Sequence, residues 1–174
     1  MDGNNGFAMG VDHSSGRYVS VAAWTDKEAL EANADRAPGL IGTLARRLNG
    51  SEPSVEVFEL AFAQVVKPVR VGYWGRLTRV EIPVAHLDRA VQKFKDTATA
   101  LFERYDGLAG IILFVDRASG VAQSALWFDS VQVLRGSKPR SEELHGLLAA
   151  DLPTVKVVEQ VELEVVIAEM GPLA

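Results

Sequence analysis

The strongest constraint on this chain is that a stretch near its start, Gly6 to Leu60, is echoed by a second, Gly107 to Leu163. Each reads Gly, an apolar run ending in Asp, a short break, Gly, a strand ending in Trp, a broken helix and a Pro-led strand. Gly6, Asp12, Gly16, Trp24, Pro38, Pro53, Val55, Val57 and Glu59 answer to Gly107, Asp116, Gly120, Trp127, Pro139, Pro153, Val155, Val157 and Glu159, at offsets of 100 to 104. Self-similarity of this kind decides architecture before local propensity does. It predicts an old duplication, with a first repeat over 1–66 and a second over 67–174. Lys67-Pro68 is the junction, too short and too poor in Gly and Ser to be a tether.

The local signals fill in the units. GFAMGV (6–11) and RYVSVAAW (17–24) read as two strands of a hairpin. Thr25 with Glu28 gives a capping box for a helix over 26–36. Ala37-Pro38-Gly39 breaks it, and a second segment over 40–48 carries Leu40, Ile41, Leu44 and Leu48 at helical spacing. Positions 54–65 alternate as a half-buried strand, and 69–84 reads as a long one. From His86 to Tyr105 a single apolar stripe (Leu87, Ala90, Val91, Phe94, Ala98, Leu101, Phe102) predicts the clearest helix. Strands over 108–115 and 120–128 follow, then a helix started by Asp129 and Gln132, broken near Pro139 and resumed over 141–148. A last strand covers 155–169. The order is β-β-α-β, then β-α-β-β-α-β.

The second unit is a ferredoxin-like module. With Trp127-Phe128-Asp129 and Trp24-Thr25-Asp26 closing the third strands, and Gly107, Gly120, Gly6 and Gly16 bracketing the hairpins, the chain resembles the dimeric α+β barrel superfamily. That superfamily includes the antibiotic-biosynthesis-monooxygenase-like proteins. The resemblance implies an α+β fold of two ferredoxin-like repeats whose antiparallel sheets pack as one barrel. The first repeat lacks its opening strand and helix, and the absent strand belongs at the centre of its sheet. Unpaired backbone there is costly. Three arrangements would answer it: the strand over 54–65 closes against Arg17–Trp24, a neighbouring chain supplies a strand, or the natural chain begins upstream of Met1. A homodimer covering the gap is expected.

Composition narrows the function. A net charge of -5 with only sparse Arg pairs argues against nucleic acid. The absence of cysteine removes disulfides, thiolate metal sites and thiol nucleophiles. No leader and no apolar run of membrane-spanning length is visible, so a cytoplasmic protein with no membrane partner is expected. His13, His86 and His145 lie 59 to 73 positions apart, with no metal-ligand spacing. Phosphate-loop and nucleophile-elbow motifs are absent.

The resemblance implies a ligand cavity between a module's sheet and its helices, and only the second repeat has every wall. Its candidates are Trp74, Arg76 and Arg79 from the first strand, His86 and Phe94 from the helix, and Gln123 and Trp127 from the third strand. Arg76 and Arg79 sit three apart on a strand and point to opposite faces, so at most one reaches a cavity. Each candidate also has a plainer reading: Trp127 and Trp24 as core packers, the arginines as solvated, His86 as a helix-start surface residue, His13 and His145 as solvated. The heme-degrading members carry a His about ten residues after the third-strand Trp. Ser137 and Ala34 stand there, so no cofactor is expected. Cofactor-independent monooxygenase chemistry on an aromatic or polyketide-like ligand is one expectation. A non-catalytic structural or interaction protein is the other.

Overall fold

A computed structural model of the chain describes residues 2–48, 50–51, 53–139 and 154–171. Seven strands form one sheet: β1 (Asn4–Asp12), β2 (Arg17–Trp24), β3 (Glu59–Val65), β4 (Trp74–Glu81), β5 (Leu108–Asp116), β6 (Val121–Phe128) and β7 (Lys156–Met170). Among the described residues four α-helices accompany them: α1 (Lys27–Ala32), α2 (Ala37–Arg47), α3 (Leu87–Arg104) and α4 (Val131–Gly136). The spatial order is β2-β1-β7-β4-β6-β5-β3, antiparallel throughout. Strands β7-β4-β6-β5 keep the ferredoxin-like order.

The joining of the two ends differs from a pair of stacked sheets. β7 is long enough to serve two partners: Lys156 to Glu164 lie against β4, and Glu164 to Met170 against β1. β3 pairs with β5, not with β2, so the strand over 54–65 does not close against Arg17–Trp24. The sheet also curls. Arg79 on β4 donates two 2.7 Å hydrogen bonds to Glu56, just ahead of β3. Three strand spacings separate β4 from β3, about 14 Å in a flat sheet.

The first hairpin and helix recur 104 residues on, bond for bond. The Asp12–Gly16 loop closes with Gly16 N donating to Asp12 O at 2.8 Å, and Asp116–Gly120 does the same at 2.9 Å. Thr25 N donates to the Gly3 carbonyl and Asp129 N to the Gly107 carbonyl. Both glycines have positive φ, +75° and +85°, which few other residues adopt cheaply. Hydrogen-bond register therefore matches Gly107 with Gly3 and Trp24 with Phe128, where residue identity had suggested Gly6 and Trp127. The helix caps also sit one residue later than expected. Asp26 accepts from Ala29 N (2.7 Å) and Ser130 from Val133 N (3.3 Å).

Other boundaries shift for local reasons. Pro38 occupies the first turn of α2, where a missing N–H costs nothing, so the break begins the helix there. Gly72 at φ +86° makes a turn, and β4 starts only at Trp74. β3 begins at Glu59, leaving 54–58 outside the strand. On α3, Leu87, Ala90, Val91 and Ala98 are buried, with Phe94 partly so. The side chains of Leu101 and Phe102, the helix over 141–148 and His145 lie outside the described residues.

Two apolar layers result. Leu108, Ile111, Leu126 and Phe128 face α3 and α4. Leu77, Ile112, Ala125, Trp127, Leu163 and Val165 line the inner, concave face. Each full burial of such a side chain contributes roughly 1.5–3 kcal/mol.

The hairpin loops carry an acid response. Hydroxyls of Ser14 and Ser15 hold the Asp12 carboxyl down to about 2, and Ser119 lowers Asp116 in the same way. A depressed folded-state pKa contributes stability that is present above the unfolded value and lost as pH falls through the folded one. Protection of the Ser14 and Ala118 amides, as exchange relative to the intrinsic rate at each pH, is therefore expected to be constant above ordinary carboxylate pKa values. At Ser14 it should fall as the pH is lowered from there toward 2, and at Ala118 as Asp116 protonates; Asp12→Asn should abolish the transition at Ser14.

Candidate functional site

β7 presents Gln160, Glu162 and Glu164 on one face and Val161, Leu163 and Val165 on the other, as strand alternation requires. The polar face floors an open cleft of about 510 Å³. Its walls are the β1–β2 loop (Asp12, His13, Ser14), Trp74 at the start of β4, and Arg135 and Lys138 at the end of α4.

The loop is stiff because its aspartate is fully used. Asp12 Oδ1 accepts from Ser14 N (2.8 Å) and Ser14 Oγ (2.6 Å), and Oδ2 from Ser15 Oγ (2.7 Å). This fixes the backbone under His13. Its Nε2 lies 2.6 Å from Glu164 Oε2, and its ring centroid 5.9 Å from that of Trp74. Carboxylate contact at one imidazole nitrogen sets the tautomer and leaves the other nitrogen as the acceptor. His13 is more than half exposed, so the pair is open to a ligand.

Beneath the floor lies Arg76, 1% exposed. It donates from NH1 to Ser137 Oγ (2.9 Å), and from NH2 to the Leu134 carbonyl (2.9 Å) and Glu162 Oε1 (2.8 Å). The bond ties β4, β7 and the C-terminal end of α4 together. The Arg135 and Lys138 side chains line the cleft beside an aromatic ring and a histidine, and the carboxylates that also line it, Asp12 and Glu162, are engaged by Ser14, Ser15 and Arg76. Such an arrangement suits a planar ligand carrying negative charge or an acidic hydroxyl.

The seven residues singled out from the sequence are divided among several places. Trp74 lines the cleft and Arg76 lies under it. Arg79, Gln123 and Trp127 stand on the opposite, concave face, where Arg79 and Gln123 are cross-strand partners. Bonding to Arg79 lowers the pKa of Glu56 and raises that of Arg79, fixing both as a charged pair. Trp127 lies flat against Gly75. His86 sits in a 3-10 turn (Val84–His86), its Nδ1 3.2 Å from Thr154 Oγ1. Phe94 packs edge-on against Phe62. His13, Glu162, Glu164, Arg135 and Lys138 were not among the seven. The alternation Gln160-Val161-Glu162-Leu163-Glu164 was the signal that could have marked the cleft floor. Among the described residues no group of three or more His, Asp or Glu could hold a metal, and no helix is long and apolar enough to cross a membrane.

No protein-family model matches the chain. The uncharacterized protein Rv2557 of Mycobacterium tuberculosis is 31% identical over 144 residues, which is 83% of this chain and 64% of that protein. Rv2558 of the same organism is 28% identical over 171 residues, 98% of this chain and 72% of the relative. The chain thus spans less than two thirds of the length of Rv2557. Among solved structures, a candidate monooxygenase from Fusobacterium nucleatum superposes with a TM-score of 0.70 at 13% identity, covering 99% of this chain and 81% of that one. An anthrone oxidase-like protein gives 0.70 at 14%, covering 98% and 81%. The chain has the dimeric α+β barrel fold. The described cleft lies on the outer, helix-bearing side of β7, and the concave face carries the apolar cluster around Leu77, Trp127 and Leu163 together with the Arg79–Glu56 pair.

Proposed function

We propose that this protein binds a small aromatic ligand with an ionisable hydroxyl and acts on it as a cofactor-independent, monooxygenase-like barrel protein. The observation that carries the reading is the convergence of the His13–Glu164 pair, Trp74 and the cations Arg135 and Lys138 on one cleft. The likeness of the fold to monooxygenase-like and anthrone oxidase-like proteins supports the class of chemistry. A phenol lying against Trp74 would give its proton to His13 Nδ1. Glu164 would stabilise the imidazolium, and the two cations the phenolate. Oxidation of an activated ring methylene to a carbonyl then consumes one dioxygen and releases one water, which carries away both methylene hydrogens. The chain is read as a fusion of repeats 1–66 and 67–174, working in the cytoplasm.

The test is titration with an anthrone bearing a free phenol, followed by Trp fluorescence and dioxygen uptake. Saturable quenching that is lost in Trp74→Phe is expected. His13→Ala should slow dioxygen uptake by about 10²–10⁴-fold, the usual worth of a positioned base, while affinity changes little. Absence of saturable binding, or uptake indifferent to His13, would overturn the reading. The second reading, a non-catalytic interaction protein, is favoured by β2 and β3, which each have one strand neighbour among the described residues.

A further inference from the structure

The cleft exists because a ladder stops short. β1 stays paired with β7 as far as Val11 and Glu164, and from Glu164 down to Lys156 β7 pairs with β4. Past Val11 the hairpin end, residues 12–17, lies beside β7 without strand pairing to it. Its hydrogen bonds to β7 there, among the described residues, come from side chains. His13 reaches Glu164 on the outer face, and Arg17 reaches Glu159, the registered partner of Arg79, on the concave face. The bonds to Asp12 make the end stiff within itself, so it moves as one piece about Val11.

The second hairpin repeats this device with a different residue in it. Arg117 stands 104 places after His13, in a loop closed by the same bonds. Its partner Glu59 is registered with Val115, just as Glu164 is registered with Val11. Arg117 donates to Glu59 from two nitrogens (2.7 and 2.9 Å) and to Asp88, in the first turn of α3, at 2.6 Å. A guanidinium keeps its charge throughout the range in which proteins fold, so this fastening is permanent. The first hairpin has an imidazole in the same place, and an imidazole changes charge between pH 5 and 8.

We propose that the hairpin end, residues 12–17, is a jaw of the cleft that closes when His13 takes up a proton. Neutral, His13 gives Glu164 one ordinary hydrogen bond. As imidazolium it gives a charge-assisted one, roughly twice as strong, which draws the jaw onto β7. The other charged groups around the imidazole, among the described residues, are Asp12 on its own loop, Glu162 on β7, and Arg135 and Lys138 at the end of α4. Asp12 and Glu162 are engaged by Ser14, Ser15 and Arg76, which leaves Glu164 to answer the new charge. For its signal the inference rests on the proposed ligand. The phenol O–H bond breaks and an N–H bond forms at His13 Nδ1, and the imidazolium then closes the jaw over the phenolate. Loss of that proton to water reopens it, and no electron changes place.

Backbone amide relaxation by NMR, on the ligand-free protein, tests the jaw and can fail while ligand binding stands. Residues 13–16 are expected to be rigid at about pH 5, with order parameters of about 0.85, and to fall below about 0.6 at about pH 8. Residues 117–120 should stay rigid at both and serve as the reference in the same spectrum. His13→Arg should keep 13–16 rigid at both pH values, and Glu164→Gln should leave them mobile at both. Equal order parameters at the two pH values in the parent, or a pH response that survives Glu164→Gln, would overturn the proposal. Adding the anthrone at the higher pH should make 13–16 rigid, and adding its phenol methyl ether should not. Equal rigidity with both would show that occupancy closes the jaw and the proton does not, which sinks the idea.

Discussion

Replacing Arg76 by methionine is expected to lower the free energy of unfolding by about 3 kcal/mol. Methionine fills most of the arginine's volume, so the loss comes from polar groups rather than from a cavity. Three acceptors on two elements converge on this guanidinium: Ser137 Oγ and the Leu134 carbonyl at the end of α4, and Glu162 on β7. Glu162 is partly exposed and can turn to water, so its share of the loss is small. Ser137 and Leu134 are buried, and the Leu134 carbonyl keeps the bonds from Ser137 N and Oγ. A cation at a helix C-terminus also answers the partial negative charge there, worth a further few tenths to about 1 kcal/mol. Arg76→Lys should recover less than half, because an ammonium cannot reach around the fork that the guanidinium spans. Urea unfolding of the three proteins measures it. A methionine variant within about 0.5 kcal/mol of the parent would show that the buried charge contributes little beyond its packing.

Arg76 also shows where sequence reasoning stops. Its spacing from Arg79 correctly put the two on opposite faces of one strand, because alternation is a local rule. Which face carried α4 and which the concave cluster depends on the partners of β4, and those lie 40 or more residues away in β6 and β7. The strands themselves were legible for the same reason. β5, β6 and β7 fall within one residue of their expected bounds, since apolar runs and alternation need no tertiary context. The pairing of β3 with β5 was not legible. Nothing within Leu60-Ala61-Phe62-Ala63 distinguishes one open edge from another, and only the curl that brings Glu56 over Arg79 shows the choice. His13 was read as a solvated loop residue, and it is indeed more than half exposed. Its role in the cleft comes from Glu164, 151 residues on, which meets it on the outer side of the sheet.

Gly75→Ala is expected to cost about 3 kcal/mol, although alanine in a strand normally stabilises relative to glycine. The reason is Trp127, the registered partner of Gly75 on β6. A Cβ on Gly75 would stand 2.6 Å from Cε3 of the indole, closer still to Cζ3, and 3.0 Å from Cη2. The ring cannot retreat, because it is buried in the inner cluster with Leu77, Ile112, Leu163 and Val165 around it. Gly110, its other registered neighbour, also lacks a side chain, but a Cβ there would meet Val65 and the Gln64 carbonyl of β3 at ordinary contact distances. The plain core role of Trp127 thus explains Gly75 without a ligand. A double-mutant cycle isolates the effect. Trp127→Ala alone should cost about 3–5 kcal/mol by leaving a cavity. In that background Gly75→Ala should become neutral or slightly stabilising, a coupling of about 3 kcal/mol. If Gly75→Ala costs the same with and without the indole, the clash is not what keeps position 75 glycine. The cause would then lie in the backbone of β4.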